Sequence, residues 1–373
     1  MRSRQIVFRI LVPLLSVAAA LAIFEIGLRV AGYDPLGKVL DGRAYFLRSS
    51  SRPGLDYDLA PGATGRNWGT TISINSHGFR DREYPLARTP GTKRIEVVGD
   101  SIAFGTNLDA ADTFPKRLET MYAVAGRPVE VMNLAVAGYD TLNEVVFLEQ
   151  TGLAFSPDVV VVGWCINDLG THSVNLALIR VLEKNGFLAT HSRAFQWATS
   201  RADTLQRTLA QEFQVGESEA EFARANRDFI VPVRQDPEVR RIVGGMLDRM
   251  HAERPKITQP FLSWYLSENR IGKLRYSFER LAKDASDKRF RVVVLLIPFL
   301  DDEGYPDLYR MAYDVVRHEA GRVGFATIDA TERFRAAGLE RLRLRHEGSS
   351  DIVHPNQEGH ALLATALFEG LDP

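Results

Sequence analysis

Arg94-Ile95-Glu96-Val97-Val98-Gly99-Asp100-Ser101-Ile102-Ala103-Phe104-Gly105 opens as a short strand, with Ile95, Val97 and Val98 as its apolar part, and breaks at a glycine. The first side chain past the break able to act as a nucleophile is Ser101. A serine there lies at the carboxyl end of a strand, where open α/β sheets place their ligands. A helical turn after it would aim free N–H groups at the same spot and favour developing negative charge. Gly-Asp-Ser alone also describes an ordinary turn, so the reading depends on what the rest of the chain supplies.

Outward from this stretch the pattern is strand, then helix, repeated. A helix is predicted around Phe114 to Ala125, with Pro115 in its first turn and Gly126 beyond its end. A second strand comes next at Val129 to Val136. A second helix starts near Thr141, where Thr141 and Glu144 have capping-box spacing. The run Val159 to Trp164, continuing to Asn167, is apolar without alternation, as in a strand buried on both faces of a parallel sheet. Residues 171 to about 266 interrupt the alternation with a mostly helical insertion divided by prolines. Leu176, Ile179, Leu182 and Phe187 in it have helix-like spacing and are expected to border an acyl pocket or to pack in the core. Strands at Val292 to Ile297 and Phe325 to Ile328, each with a helix, complete the series. The pattern implies an α/β fold: a doubly wound (flavodoxin-like) five-stranded parallel sheet with right-handed crossovers.

The chain has 373 residues, with 46 Lys+Arg against 47 Asp+Glu, a balance that leaves no nucleic-acid footprint. Its single cysteine, Cys165, excludes an intrachain disulfide and a Cys-based metal site. Ile10 to Phe24 carries no charge and is preceded by Arg2, Arg4 and Arg9. Extended through Leu28, the run nearly reaches the ~20 residues of a membrane span, and the positive-inside rule places the remainder of the chain on the exported side. A cleaved signal peptide is the competing reading, since Ala18-Ala19-Ala20 supplies small residues. The organisation expected is an anchor over 1–29, a connecting region with short strands over 30–90, and a catalytic domain over 91–373 that carries the insertion. In the connecting region, His77 beside Gly78 reads as a turn residue.

Four loops at one sheet edge carry residues suited to acyl transfer: Ser101, Gly138, Asn167 and the run Asp351-Ile352-Val353-His354. Serine needs a base as it attacks, and histidine suits neutral pH. The histidine must be held in one tautomer, which an Asp three residues away can do. The backbone N–H groups of Ser101 and Gly138 and the Asn167 amide are candidate oxyanion donors. Each has a duller explanation: Gly138 as a strand terminator, Asn167 as a cap, Asp351 as the start of a turn and His354-Pro355 as surface loop. His360, in the last helix, reads as a packing or surface residue.

With these residues in place, the chain resembles the SGNH (GDSL-type) hydrolase superfamily. Gly99-Asp100-Ser101 with Gly105 is similar to its first block, Asn133 to Gly138 to its second, Asn167-Asp168 to its third and Asp351 to His354 to its fifth. The resemblance covers roughly residues 91 to 370, without the insertion. It implies Ser101 as nucleophile, His354 as base, Asp351 as its orienter, and Ser101, Gly138 and Asn167 as oxyanion donors, with no cofactor. Cys165 departs from the pattern, standing where the third block usually has glycine. Asp100 matches the motif without an implied catalytic role. The expected activity is hydrolysis of acyl esters, acetyl among them, of envelope carbohydrate or lipid, on the exported side of a membrane. An O-acyltransferase with the same triad and a non-catalytic envelope scaffold are the rivals.

Overall fold

In the computed structural model, five strands form one parallel sheet: β5 (Lys93–Gly99), β6 (Val129–Asn133), β7 (Val159–Trp164), β8 (Arg291–Leu296) and β9 (Ala326–Asp329). The structure is described for residues 2–32, 46–67, 70–170, 192–195, 197–198, 201, 219–253, 260–300, 305–346 and 349–372. The spatial order is β6-β5-β7-β8-β9. The chain therefore starts in the interior of the sheet and reverses direction between β5 and β7, which is the switch point of a flavodoxin-like doubly wound fold.

β7 is buried at all six positions, and β5 at every position after Lys93. Covering helices on both faces produce this. α3 (Phe114–Val124) packs on the last helix, α12 (Gln357–Gly370), while α4 (Thr141–Gln150), α8 (Glu268–Lys288) and α9 (Pro306–Arg322) pack as a row. Ser101–Phe104 forms a single turn, α2, directly after β5. Within the predicted insertion, helices run over Glu219–Ala225 (α5), Pro237–Glu253 (α6) and Pro260–Trp264 (α7). Two short helices, α10 (Thr331–Ala337) and α11 (Leu339–Leu342), come after β9. Leu176, Ile179, Leu182 and Phe187 lie outside the described residues.

The region before β5 shares the same core. It contains two antiparallel pairs, β1 (Leu47–Ser49) with β2 (Tyr57–Leu59) and β3 (Thr64–Asn67) with β4 (Thr70–Ser73). Phe46, Leu59, Ile72 and Phe79 are fully buried in the main cluster. Arg80, also buried, donates to the carbonyls of Phe104, Gly105 and Leu108, so this region holds the turn after Ser101. His77 lies in a turn where the Asn75 side chain accepts its N–H.

Several boundaries differ from the sequence reading. The second strand ends at Asn133, not Val136. Beyond it the N–H groups of Leu134 and Val136 still pair with β5, while the intervening Ala135 N–H donates to the Asn133 side chain. The third strand ends at Trp164, before Asn167. Asp140, not Thr141, caps α4, accepting from the N–H of Asn143. Glu144 is therefore not part of a capping box and is buried.

Candidate active site

Gly99 lets β5 deliver Ser101. A Cβ on Gly99 would lie 2.7 Å from the Ala103 Cβ and 3.2 Å from the Gly163 carbonyl, so only glycine lets β7 and the new turn pass this close. Asp100 then caps α2, its Oδ1 accepting the Ile102 N–H at 2.9 Å. Gly105 closes the turn at φ 80°, a left-handed conformation that favours glycine.

His354 and Asp351 come from the opposite end of the domain sequence. They lie on β11 (Ser349–Pro355), which pairs antiparallel with β10 (Arg343–His346), rather than on a surface loop. The register shifts between Leu344↔Asp351 and Arg343↔Pro355, so Ile352 to His354 bulge out of the ladder. Within the bulge, Asp351 Oδ1 accepts the N–H groups of Val353 at 2.8 Å and His354 at 3.0 Å. Its Oδ2 lies 2.7 Å from His354 Nδ1, and His354 Nε2 lies 2.8 Å from Ser101 Oγ. Burial pulls the Asp351 carboxyl upward, but its hydrogen bonds and the charge of His354 outweigh this and hold it at about 2. Asp351 is therefore an acceptor that fixes Nδ1–H, leaving Nε2 to face the serine hydroxyl.

Gly138 and Asn167 sit at the ends of the flanking strands. Gly138 has φ 86° in the turn after β6, a conformation open to glycine. Neither its N–H nor that of Ser101 donates to any group among the described residues. Asn167 Nδ2 donates to Asp100 Oδ2 at 3.1 Å, so the amide lies beside the serine turn. Ser101, Gly138, Asn167, Asp351 and His354 are all half-buried and reachable from solvent. The structure thus joins Ser101, His354 and Asp351 in one hydrogen-bonded chain and places Asn167 against the same turn. Together Ser101, His354 and Asp351 supply a hydroxyl and an oriented base, with the Asn167 amide beside them, a set suited to acyl transfer; no hydrogen bond joins Gly138 to them among the described residues.

Beneath the serine lies a layer that sequence reasoning did not identify. Asp100 Oδ2 faces Ser101 Oγ at 3.2 Å, Asn167 Nδ2 at 3.1 Å and Cys165 Sγ at 3.3 Å. Cys165 also contacts Asn167 Oδ1, and its N–H donates to Asp168 Oδ2 at 2.9 Å. Burial, with the neighbouring Asp100, pushes the Cys165 thiol up. Burial and nearby acids also push Asp168 and Glu144 up. Asp100, Cys165 and Asp168 bring ligand atoms within 4.8 Å of one another, as do Asp236, His318 and Glu319. In the second group, Arg275 donates to both carboxylates.

Fold and site together define an ester hydrolase that uses a serine. Residues 97–184 match the GDSL-like Lipase/Acylhydrolase family, in keeping with a serine esterase. No curated protein matches the sequence. Among solved structures, LAE5, described as an alpha/beta hydrolase enzyme from the metagenome of Lake Arreo, Spain, is 12% identical. That alignment covers 74% of this chain and 94% of LAE5, with a TM-score of 0.42. The acetyl xylan esterase AlAXEase is 13% identical over 75% of this chain and 100% of its own, with a TM-score of 0.39. TesA is 15% identical over 75% and 99%, with a TM-score of 0.41.

Proposed function

We propose that the protein hydrolyses acyl esters of envelope carbohydrate or lipid through an acyl-Ser101 intermediate, tethered by its N-terminal helix with the catalytic domain on the exported side. The observation that carries the chemistry is the unbroken chain from Asp351 through both His354 nitrogens to Ser101, at 2.7 and 2.8 Å. Ser101 Oγ attacks the ester carbonyl carbon as His354 Nε2 takes its proton, and Asp351 holds the imidazolium that forms. The Ser101 and Gly138 N–H groups and the Asn167 amide receive the oxyanion. The ester C–O bond breaks, and His354 returns the proton to the departing alkoxide. Water, deprotonated by the same nitrogen, then releases the acid and free Ser101.

The membrane part rests on α1 (Arg2–Val30). Its stretch Leu11–Val30 has 20 residues, a mean hydropathy of 2.2 and no share buried in the fold. The three arginines before the apolar run support an exported catalytic domain.

The full chain in detergent should react with a fluorophosphonate at Ser101 alone, with the adduct located by mass spectrometry. It should also hydrolyse a graded series of acyl esters from acetyl upward. Equal labelling of Ser101→Ala would overturn the assignment. Transfer of the acyl group to an added sugar in preference to water would replace hydrolase by transferase.

A further inference from the structure

We propose that Cys165 is a positioning residue for catalysis, its protonated thiol fixing the orientation of the Asn167 amide from a buried layer beneath the serine. This rests on the reading of Ser101 as nucleophile and Asn167 as oxyanion donor. An Asn side chain has two ends of nearly the same shape, one accepting and one donating, and only its surroundings decide which faces the substrate. Here two buried groups make the choice. Asp100 offers a carboxylate oxygen to Nδ2 at 3.1 Å, and Cys165 Sγ lies against Oδ1.

Cys165 is 3% exposed, and burial beside Asp100 and Asp168 keeps it a neutral thiol. A thiol carries one proton, and Asp100 Oδ2 at 3.3 Å is also within its reach; that oxygen already accepts from Asn167 Nδ2 and Ser101 Oγ, so the thiol proton goes to the amide oxygen, which a thiolate would repel. With Oδ1 taken by the thiol and one Nδ2 hydrogen by Asp100, the second Nδ2 hydrogen is left for the oxyanion. The reversed amide would point its oxygen at the Asp100 carboxylate and its NH₂ at a weak acceptor, losing both bonds. Asp100 is itself fixed, since its Oδ1 caps the serine turn through the Ile102 N–H. One carboxylate thus sets both the turn that carries Ser101 and the distance from that turn to Asn167.

The experiment compares Cys165→Ala, Cys165→Ser and Cys165→Ala in an Asn167→Ala background, with kcat, KM and thermal midpoint measured on the full chain. Cys165→Ala should lower kcat by roughly 10-fold to 10²-fold, below the ceiling of about 10²–10³ for losing a whole oxyanion donor. KM should change little. Cys165→Ser keeps a donor and should recover most of the turnover. In the Asn167→Ala background, adding Cys165→Ala should cost no further turnover, because the effect runs through the amide. An unchanged kcat in Cys165→Ala, or an equal loss in the Asn167→Ala background, would overturn the proposal. Full turnover by Ser101→Ala would instead mean that the nucleophile assignment had failed.

Discussion

In the proposed reaction Asn167 and His354 serve different moments, and their loss should separate accordingly. Without His354 the Ser101 hydroxyl has no base at 2.8 Å, so fluorophosphonate labelling and turnover should collapse together in His354→Ala. Asn167 matters only once charge has moved onto the carbonyl oxygen. Asn167→Ala should therefore lower kcat by about 10²–10³ with a much smaller change in KM. Nearly unchanged turnover would leave Asn167 as a structural link only. The variant should also lose some thermal stability, because the amide is not a free solvent-facing group: it donates to the fully buried Asp100. Removing it deprives a buried carboxylate of a donor, a loss of roughly 1–3 kcal/mol or more. The sequence identified Asn167 by its place after an apolar strand but carried no sign of this partner 67 residues earlier, because a side-chain hydrogen bond leaves no periodicity.

At the scale of elements, α3 and α12 are joined by an unusual bond. Thr113 precedes α3 without capping it through its side chain, and the Phe114 N–H is satisfied instead by His360 Nδ1 of α12 at 3.0 Å. Nδ1 must then be unprotonated. Burial, followed by the nearby charge of His354, lowers the His360 pKa from 6.5 to about 3. The folded value lies below the unfolded one, so as pH falls below about 6.5 the unfolded chain takes a proton that the folded chain refuses. Stability is complete above that pH and falls by about 1.4 kcal/mol per unit towards pH 3. His360→Gln keeps an acceptor and removes this linkage. Urea midpoints at pH 7 and pH 5 should converge more closely in the variant, and an unchanged pH difference would count against the account. The sequence marked His360 as a packing or surface residue, and packing is what the structure shows. The strands were legible for a related reason: Val159 to Val162 must be buried on both faces wherever such a run occurs. The bulge that presents His354 was not, since Ser349–Pro355 lacks a clear alternation and its register depends on contact with Arg343 and Leu344. The cap of α4 was misplaced by one residue because Asp140 and Thr141 are both good caps, and tertiary packing chose between them.

For the whole molecule, the question is how the proposed anchor meets the domain. Twenty residues at about 1.5 Å each give α1 an apolar length of about 30 Å, the thickness of a hydrocarbon core. Glu25 lies within this stretch, five residues from its end, where an unpaired carboxylate is costly. It is not unpaired: it accepts from Arg29 Nε at 2.7 Å, from the Ala194 and Arg193 N–H groups at 2.8 and 3.0 Å, and from Ser192 Oγ at 3.1 Å. Phe24 meets Trp197 edge to face beside it. A segment far along the chain is thus bonded to the end of α1, where tryptophan and arginine suit a membrane–water boundary. A peptide discarded after export would have no use for such contacts, so the mature chain should keep Ile10 to Phe24 and remain in the membrane fraction after alkaline washing. A reporter fused after Pro373 should be active only in an exported compartment. Glu25→Ala should leave the chain in the membrane but increase proteolysis near Ser192, because the N–H groups of Arg193 and Ala194 lose their acceptor. N-terminal sequencing that begins after Ala20 would show a cleaved signal peptide, and unchanged proteolysis in Glu25→Ala would show that the contact does not hold the segment.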